Sequence, residues 1–231
     1  TIGWRGAFLC LVPVAIAAFL WQYVSLPNMS GRKNGASGEG VFRLFRQPVV
    51  SVGLIACSLF FMGQFALFTY VRPFLETVTQ VNVSTLSLIL LATGVTGVIG
   101  TILIGPALKR SLYGTLAVIP VLMAVIALGL LPLGASTGAV LVLLGCWGLL
   151  ATSAPVGWWS WIARAMPHHA EAGGGLMVAV IQLSIALGST TGGLLFDAAG
   201  YQATFATSAA ILLLAALLAA MTARSHFRVP A

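Results

Sequence analysis

Seven apolar stretches, each long enough to cross a bilayer, dominate this chain. They run at about 6–24, 49–71, 84–105, 112–133, 138–162, 174–196 and 203–222. A spanning α-helix needs about 20 mostly apolar residues. In hydrocarbon the backbone finds no water to bond, so only helices and closed barrels satisfy it. Barrel strands alternate apolar and polar residues, and these runs do not. The expected fold class is an all-α membrane protein with about seven transmembrane helices. Only 6% of the residues are charged, against roughly 25% in soluble domains. So few charges cannot coat a water-exposed surface.

The breaks between runs carry helix-ending residues. Pro27, Asn28, Ser30 and Gly31 follow the first run, Arg72-Pro73 the second and Gly105-Pro106 the third. Pro132 and Gly134 close the fourth, Pro167 with His168-His169 the fifth, and Asp197 with Gly200 the sixth.

Seven spans place the two ends of the chain on opposite sides. One side receives Arg32, Lys33, Arg43, Arg46, Lys109, Arg110, Arg164, Arg224 and Arg228, and the other only Arg5 and Arg72. Basic loops stay in the cytoplasm, so the C-terminal tail is expected inside. Topology accounts for the net charge of +7 better than a nucleic-acid partner does. No signal-peptide pattern opens the chain, and the start at Thr1 is expected to mark a fragment. The segment Val41-Phe42-Arg43-Leu44-Phe45-Arg46 is either a short helix at the headgroup boundary or a pair of topology anchors.

One internal repeat sets the architecture. Gly3-Trp4-Arg5-Gly6-Ala7-Phe8 opens the first span, and Gly200-Tyr201-Gln202-Ala203-Thr204-Phe205 opens the last. The seventh span repeats the opening of the first, six spans further on, so the repeating unit is six helices. Residues 1–24 then read as the last helix of a preceding half, 25–48 as a cytoplasmic linker, and 49–231 as a six-helix C-terminal half with a short tail. Two parallel six-helix units are the layout of major facilitator transporters.

Gly3-Trp4-Arg5 resembles the outer loop ahead of the sixth helix in drug/proton antiporters of that superfamily. Gly105-Pro106-Ala107-Leu108-Lys109-Arg110 resembles a Gly-x-Leu-x-Asp-Arg loop with Lys109 in place of the Asp, and also reads as two basic anchors. Phe42-Arg43-Leu44, Gly63-Gln64-Phe65-Ala66, Thr69-Tyr70-Val71-Arg72-Pro73, Pro155-Val156-Gly157-Trp158, Trp161-Ile162-Ala163-Arg164 and Val178-Ala179-Val180-Ile181-Gln182-Leu183 resemble the purine ribonucleoside efflux pump subfamily. The resemblance implies a bacterial inner-membrane antiporter that exports purine nucleosides in exchange for protons by alternating access between two halves. Multidrug or sugar efflux is the alternative. The implied partners are the substrate, protons, lipid and the N-terminal half of the same protein.

Polar residues within spans are informative because each must find a partner away from lipid. No Asp, Glu, Lys or Arg lies deep in a span. Glu39 and Glu171 fall in loops, while Glu76 and Asp197 fall at the outer boundary. A proton-coupling carboxylate is therefore expected in the other half. Gln64 shares a helical face with Phe60, Phe61, Phe68 and Arg72. That amide could bond a base edge with the rings stacked on it, or it could bond a neighbouring helix. Tyr70 reads as an interfacial anchor. Trp147, Trp158 and Trp161 lie near one stripe of the fifth span, with Pro155 expected to kink it. Trp158 suits either a stacking surface or the aromatic belt, and the belt suits Trp159 and Trp161. Gln182 and Ser189 share a face of the sixth span. The expected substrate contacts are Gln64, Phe68, Trp158 and Gln182.

The glycines Gly94, Gly97 and Gly100, and the pair Gly188 and Gly192, read as close-packing strips. Cys10, Cys57 and Cys146 lie in apolar runs and read as core residues. No metal site, cofactor site or enzymatic constellation is expected. His168-His169 with Glu171 is too small a ligand set, and Gly173-Gly174-Gly175 lacks the Lys of a phosphate loop. Asn82-Val83-Ser84 fits a short glycosylation pattern that also arises by chance.

Overall fold

The protein is described by a computed structural model covering residues 4–25, 48–167 and 170–226. Most of the expected linker, with Arg32, Lys33, Glu39, Arg43 and Arg46, lies outside the described residues, as do His168, His169 and Arg228. The side chains of Arg5, Cys10, Glu171 and Arg224 also lie outside them. Every element among the described residues is a helix.

The first helix, α1 (Trp4–Ser25), is 22 residues long and belongs to a compact unit of its own. The second unit holds the rest. It begins with α2 (Pro48–Phe68) and the short α3 (Val71–Thr77). There follow α4 (Val83–Arg110), α5 (Leu112–Leu133) and α6 (Thr137–Ala165). The remaining helical stretch, Ala170–His226, has 57 residues. A straight helix of that length would extend about 85 Å, nearly three bilayer cores. Gly200 breaks it, with φ 77° and ψ −177°, a conformation essentially reserved for glycine. Thr204 Oγ1 donates to the carbonyl of Gly192 at 3.2 Å, although twelve residues of helix would span about 18 Å. The chain therefore doubles back at Gly200, giving α7 (170–199) and α8 (201–226). With α2 and α3 counted as one, the second unit has six spans.

Local chemistry sets the helix ends, in two places differently from the sequence reading. The second span breaks at Thr69-Tyr70 rather than at Arg72-Pro73. Pro73 lies in the first turn of α3, where a missing N–H costs nothing. The third span does not stop at Gly105-Pro106, because α4 continues through Pro106 to Arg110. Ser111 then ends α4, its N–H bonding the Ala107 carbonyl, and starts α5, its Oγ accepting from the Gly114 N–H at 3.1 Å. The start of α4 is capped by Asn82, whose Oδ1 accepts from the Thr85 N–H at 2.9 Å. The helix α6 runs through Pro155 without interruption.

Hydroxyls facing inward hold the helices together. On one side α2, α7 and α8 pack as a group. Ser208 Oγ donates to the Gly63 carbonyl at 2.6 Å, and Ser58 and Ser184 share a hydrogen bond of 2.7 Å. On the other side α4 packs on α6. Thr96 Oγ1 donates to the Gly145 carbonyl and Thr152 Oγ1 to the Gly97 carbonyl, each at 2.7 Å. Large apolar side chains such as Leu91, Val98, Ile102 and Leu103 of α4 point outward. Polar groups inside and bare hydrocarbon outside are what a lipid solvent demands.

Glycines make these seams close. A Cβ at Gly97 or Gly100 would meet Thr152 or the backbone of Leu149, and one at Gly148 the backbone of Thr93. On α7, a Cβ at Gly188 or Gly192 would meet the backbone of Met62 or Ala66. The packing role expected of Gly97, Gly100, Gly188 and Gly192 matches this geometry. Gly94 differs, because a Cβ there would meet nothing.

Candidate functional site

A cavity of about 530 Å³ opens between the two helix groups. From α2 and the turn after it come Gln64, Phe65, Phe68 and Thr69. From α4 come Leu90, Thr93 and Gly94, and from α6 come Trp147, Gly148, Ala151 and Thr152. Val71 and Arg72 of α3 close one rim. The volume falls within the roughly 300–1,000 Å³ of small-molecule sites.

Its walls are mostly apolar, and most of its polar groups are already bonded. Thr93 Oγ1 donates to the Ile89 carbonyl at 2.8 Å. The Thr152 hydroxyl faces the carbonyls of Gly97 at 2.7 Å and Gly148 at 2.8 Å. Thr69 Oγ1 lies 2.8 Å from the Phe65 carbonyl and 3.0 Å from Ser189 Oγ. Arg72, with 72% of its side chain exposed, bonds Glu76 through Nε at 2.9 Å.

Two lining residues depart from this pattern. Gln64 is 8% exposed and Trp147 is 0% exposed. Gln64 Oε1 and Trp147 Nε1 are buried with no hydrogen-bond partner among the described residues. One is an acceptor and the other can only donate. Folded proteins pair nearly all such groups, so each unpaired one calls for an explanation.

The expected contacts separate in space. Gln64 and Phe68 line the cavity together. Trp158 is 2% exposed and packs in the core, with ring centroids 6.4 Å from Phe60 and 5.8 Å from Trp161. Gln182 is exposed on α7. Phe60 and Phe61 face the core rather than the cavity. Tyr70 is a helix-to-helix contact: its hydroxyl donates to the Ser189 carbonyl at 3.0 Å, and its ring stacks on Phe196 at 5.3 Å. Trp147 was legible as a member of the tryptophan stripe. Periodicity alone does not say which tryptophan of a stripe meets a cavity.

The family model of the Major Facilitator Superfamily matches residues 1–189. The chain belongs to that superfamily. Among the described residues of this major facilitator protein, α1 is followed in sequence by the six spans of the second unit. A protein of Pseudomonas aeruginosa named transcription regulatory protein OpdE is 62% identical over 228 residues, covering 97% of this chain and 56% of that protein. The purine ribonucleoside efflux pumps NepI of Salmonella paratyphi B and Salmonella typhimurium are each 36% identical over 223 residues, covering 96% of this chain and 56% of theirs. The chain thus spans about half the length of these curated relatives.

Proposed function

We propose that this chain is the C-terminal part of a secondary active transporter that exports a small organic solute, with purine ribonucleosides as the best-supported substrates. The observation that carries this reading is the cavity between α2, α4 and α6, lined by Gln64 and Trp147, whose Oε1 and Nε1 are buried with no partner among the described residues. A purine base offers ring faces for Phe68 and donors and acceptors for those two atoms. The 36% identity to the purine ribonucleoside efflux pumps supports the same substrate. Multidrug or sugar efflux is the alternative within the family.

The mechanism is alternating access between this half and an N-terminal half, around a site near the midplane. Gln64, Phe68 and Trp147 make the direct contacts from this half. Trp158 backs the wall from the core, and Gln182 faces the route from α7. Exchange is with protons, and the coupling carboxylate is assigned to the other half. The protein resides in the bacterial inner membrane with its C-terminal tail in the cytoplasm. It acts as a carrier, without cofactor, metal or nucleic acid.

A second reading comes from the 62% identical relative, whose printed name is a transcription regulatory protein. Apolar spanning helices suit an indirect effect, in which export of an effector alters gene expression.

The experiment is radiolabelled inosine accumulation in cells making the full-length protein, with uridine in parallel. Lower inosine with unchanged uridine is expected. Unchanged inosine would remove the purine assignment and leave drugs or sugars as the substrates to test.

A further inference from the structure

We infer that Trp147 is the specificity-determining residue of the cavity, its indole N–H donating to an acceptor on a neutral heterocyclic base while Gln64 meets the neighbouring donor. The inference deepens the nucleoside-export reading and rests on it.

An indole Nε1 only donates, and at Trp147 that atom is buried with no acceptor among the described residues. An apolar side chain would fill space there with no N–H to satisfy. The neighbouring hydroxyls point elsewhere: Thr93 bonds the Ile89 carbonyl, and Thr152 bonds Gly97 and Gly148. Gly94 on α4, which lines the same cavity, leaves room there, since a Cβ at that position would meet nothing within 4 Å.

Gln64 is the adaptable partner. A side-chain amide can present either its oxygen or its nitrogen after a half-turn, so it tolerates several base edges. Trp147 has no such freedom, which makes it the residue that discriminates. The chemical class follows from the wall. No lining residue is acidic, and the rim guanidinium of Arg72 is held by Glu76. The ligand is therefore neutral at this point of contact. It is flat enough to lie against Phe68, and it carries a carbonyl beside an N–H. The six-position carbonyl and ring N–H of hypoxanthine present that pair.

The test compares inosine with nebularine, the purine riboside that lacks both the carbonyl and the adjacent N–H. A site built to bond a group rejects an analogue without it by tenfold or far more. Vesicles containing the full-length wild-type protein are expected to transport inosine at least about tenfold better than nebularine. Trp147→Phe keeps an aromatic, though smaller, side chain and removes the N–H, and it should narrow that ratio severalfold by lowering inosine transport. Trp159→Phe, on an exposed face of α6, serves as the control and should keep the wild-type ratio. An unchanged ratio in Trp147→Phe overturns the inference while leaving nucleoside export standing. Parity between the two substrates in the wild type overturns it without any variant, so poor folding of Trp147→Phe cannot shield it. Transport of neither substrate by the wild type overturns the export reading and this inference together.

Discussion

At the scale of single residues, Gln64 Oε1 and Trp147 Nε1 are buried polar atoms with no hydrogen-bond partner among the described residues. An unpaired buried amide costs about 1–3 kcal/mol. Gln64→Leu keeps the bulk of the side chain and removes that cost. We expect the purified variant to be more stable than wild type by about 1 kcal/mol, measured as a higher midpoint of thermal unfolding in detergent. We expect the same variant to lose most inosine export. A rise in stability with a loss of function separates a binding group from a structural one. If export survives, Gln64 is not a contact.

Sequence legibility differs among these residues for a physical reason. Gln64 stands out because an amide inside an apolar run must have a partner, and Phe68 stands out one turn later on the same face. Trp147 carries no such mark. Indoles are at home in the core, in the aromatic belt and at binding sites. Only the packing of α4 against α6 shows that Trp147 borders open space while Trp158 and Trp161 do not. Gln182 shows the converse. Its polar character is plain in the sequence, yet α7 leaves it exposed, outside the cavity lining.

At the scale of elements, α4 and α6 approach so closely that backbone meets backbone. The glycines that permit this were legible as a strip, but not their division of labour. Gly100 lies against the backbone of Leu149, while Gly94 faces the cavity. Gly100→Ala forces the two helices apart, because a backbone cannot swing aside as a side chain can. We expect it to destabilise the protein by about 1–3 kcal/mol, the usual cost of overpacking, and to lower its abundance in membranes. Gly94→Ala should fold as wild type and change only transport, through a smaller cavity. Western blots of membranes alongside transport assays check both. Equal abundance of the two variants would contradict the packing described for this seam.

Element boundaries are less legible in the sequence than the elements themselves. Proline reads as a stop at Pro73 and Pro106. Pro73 sits in a first turn and Pro106 within α4. Position within the helix, not residue type alone, decides what a proline does.

At the scale of the whole molecule, the alternation of ends follows from the six spans. Lys109, Arg110 and Arg164 close helices at one end of the unit, while Arg72 and Glu76 lie at the opposite end. Positive charge is held on the cytoplasmic side. A fluorescent protein fused after Ala231 should therefore fluoresce, and alkaline phosphatase fused there should be inactive. Phosphatase inserted between Leu133 and Ser136 should be active. The reverse pattern would invert the proposed topology. The fold class and the number of spans were legible because lipid leaves a chain few choices. Which faces line a cavity was not, because every face of these helices is apolar enough to meet either lipid or a neighbouring helix.

The reversal at Gly200 bears on how the protein is made. With one residue between α7 and α8, neither helix has slack to wait in water while the other enters the membrane. The two helices are expected to enter the membrane together, as a single hairpin. The tip carries Asp197 as its nearby charge. A charge at the bilayer centre costs roughly 2.5–3.5 kcal/mol, so the toll of carrying the turn across is that of one carboxylate. A longer, more polar connection would divide the event into two insertions and raise that toll.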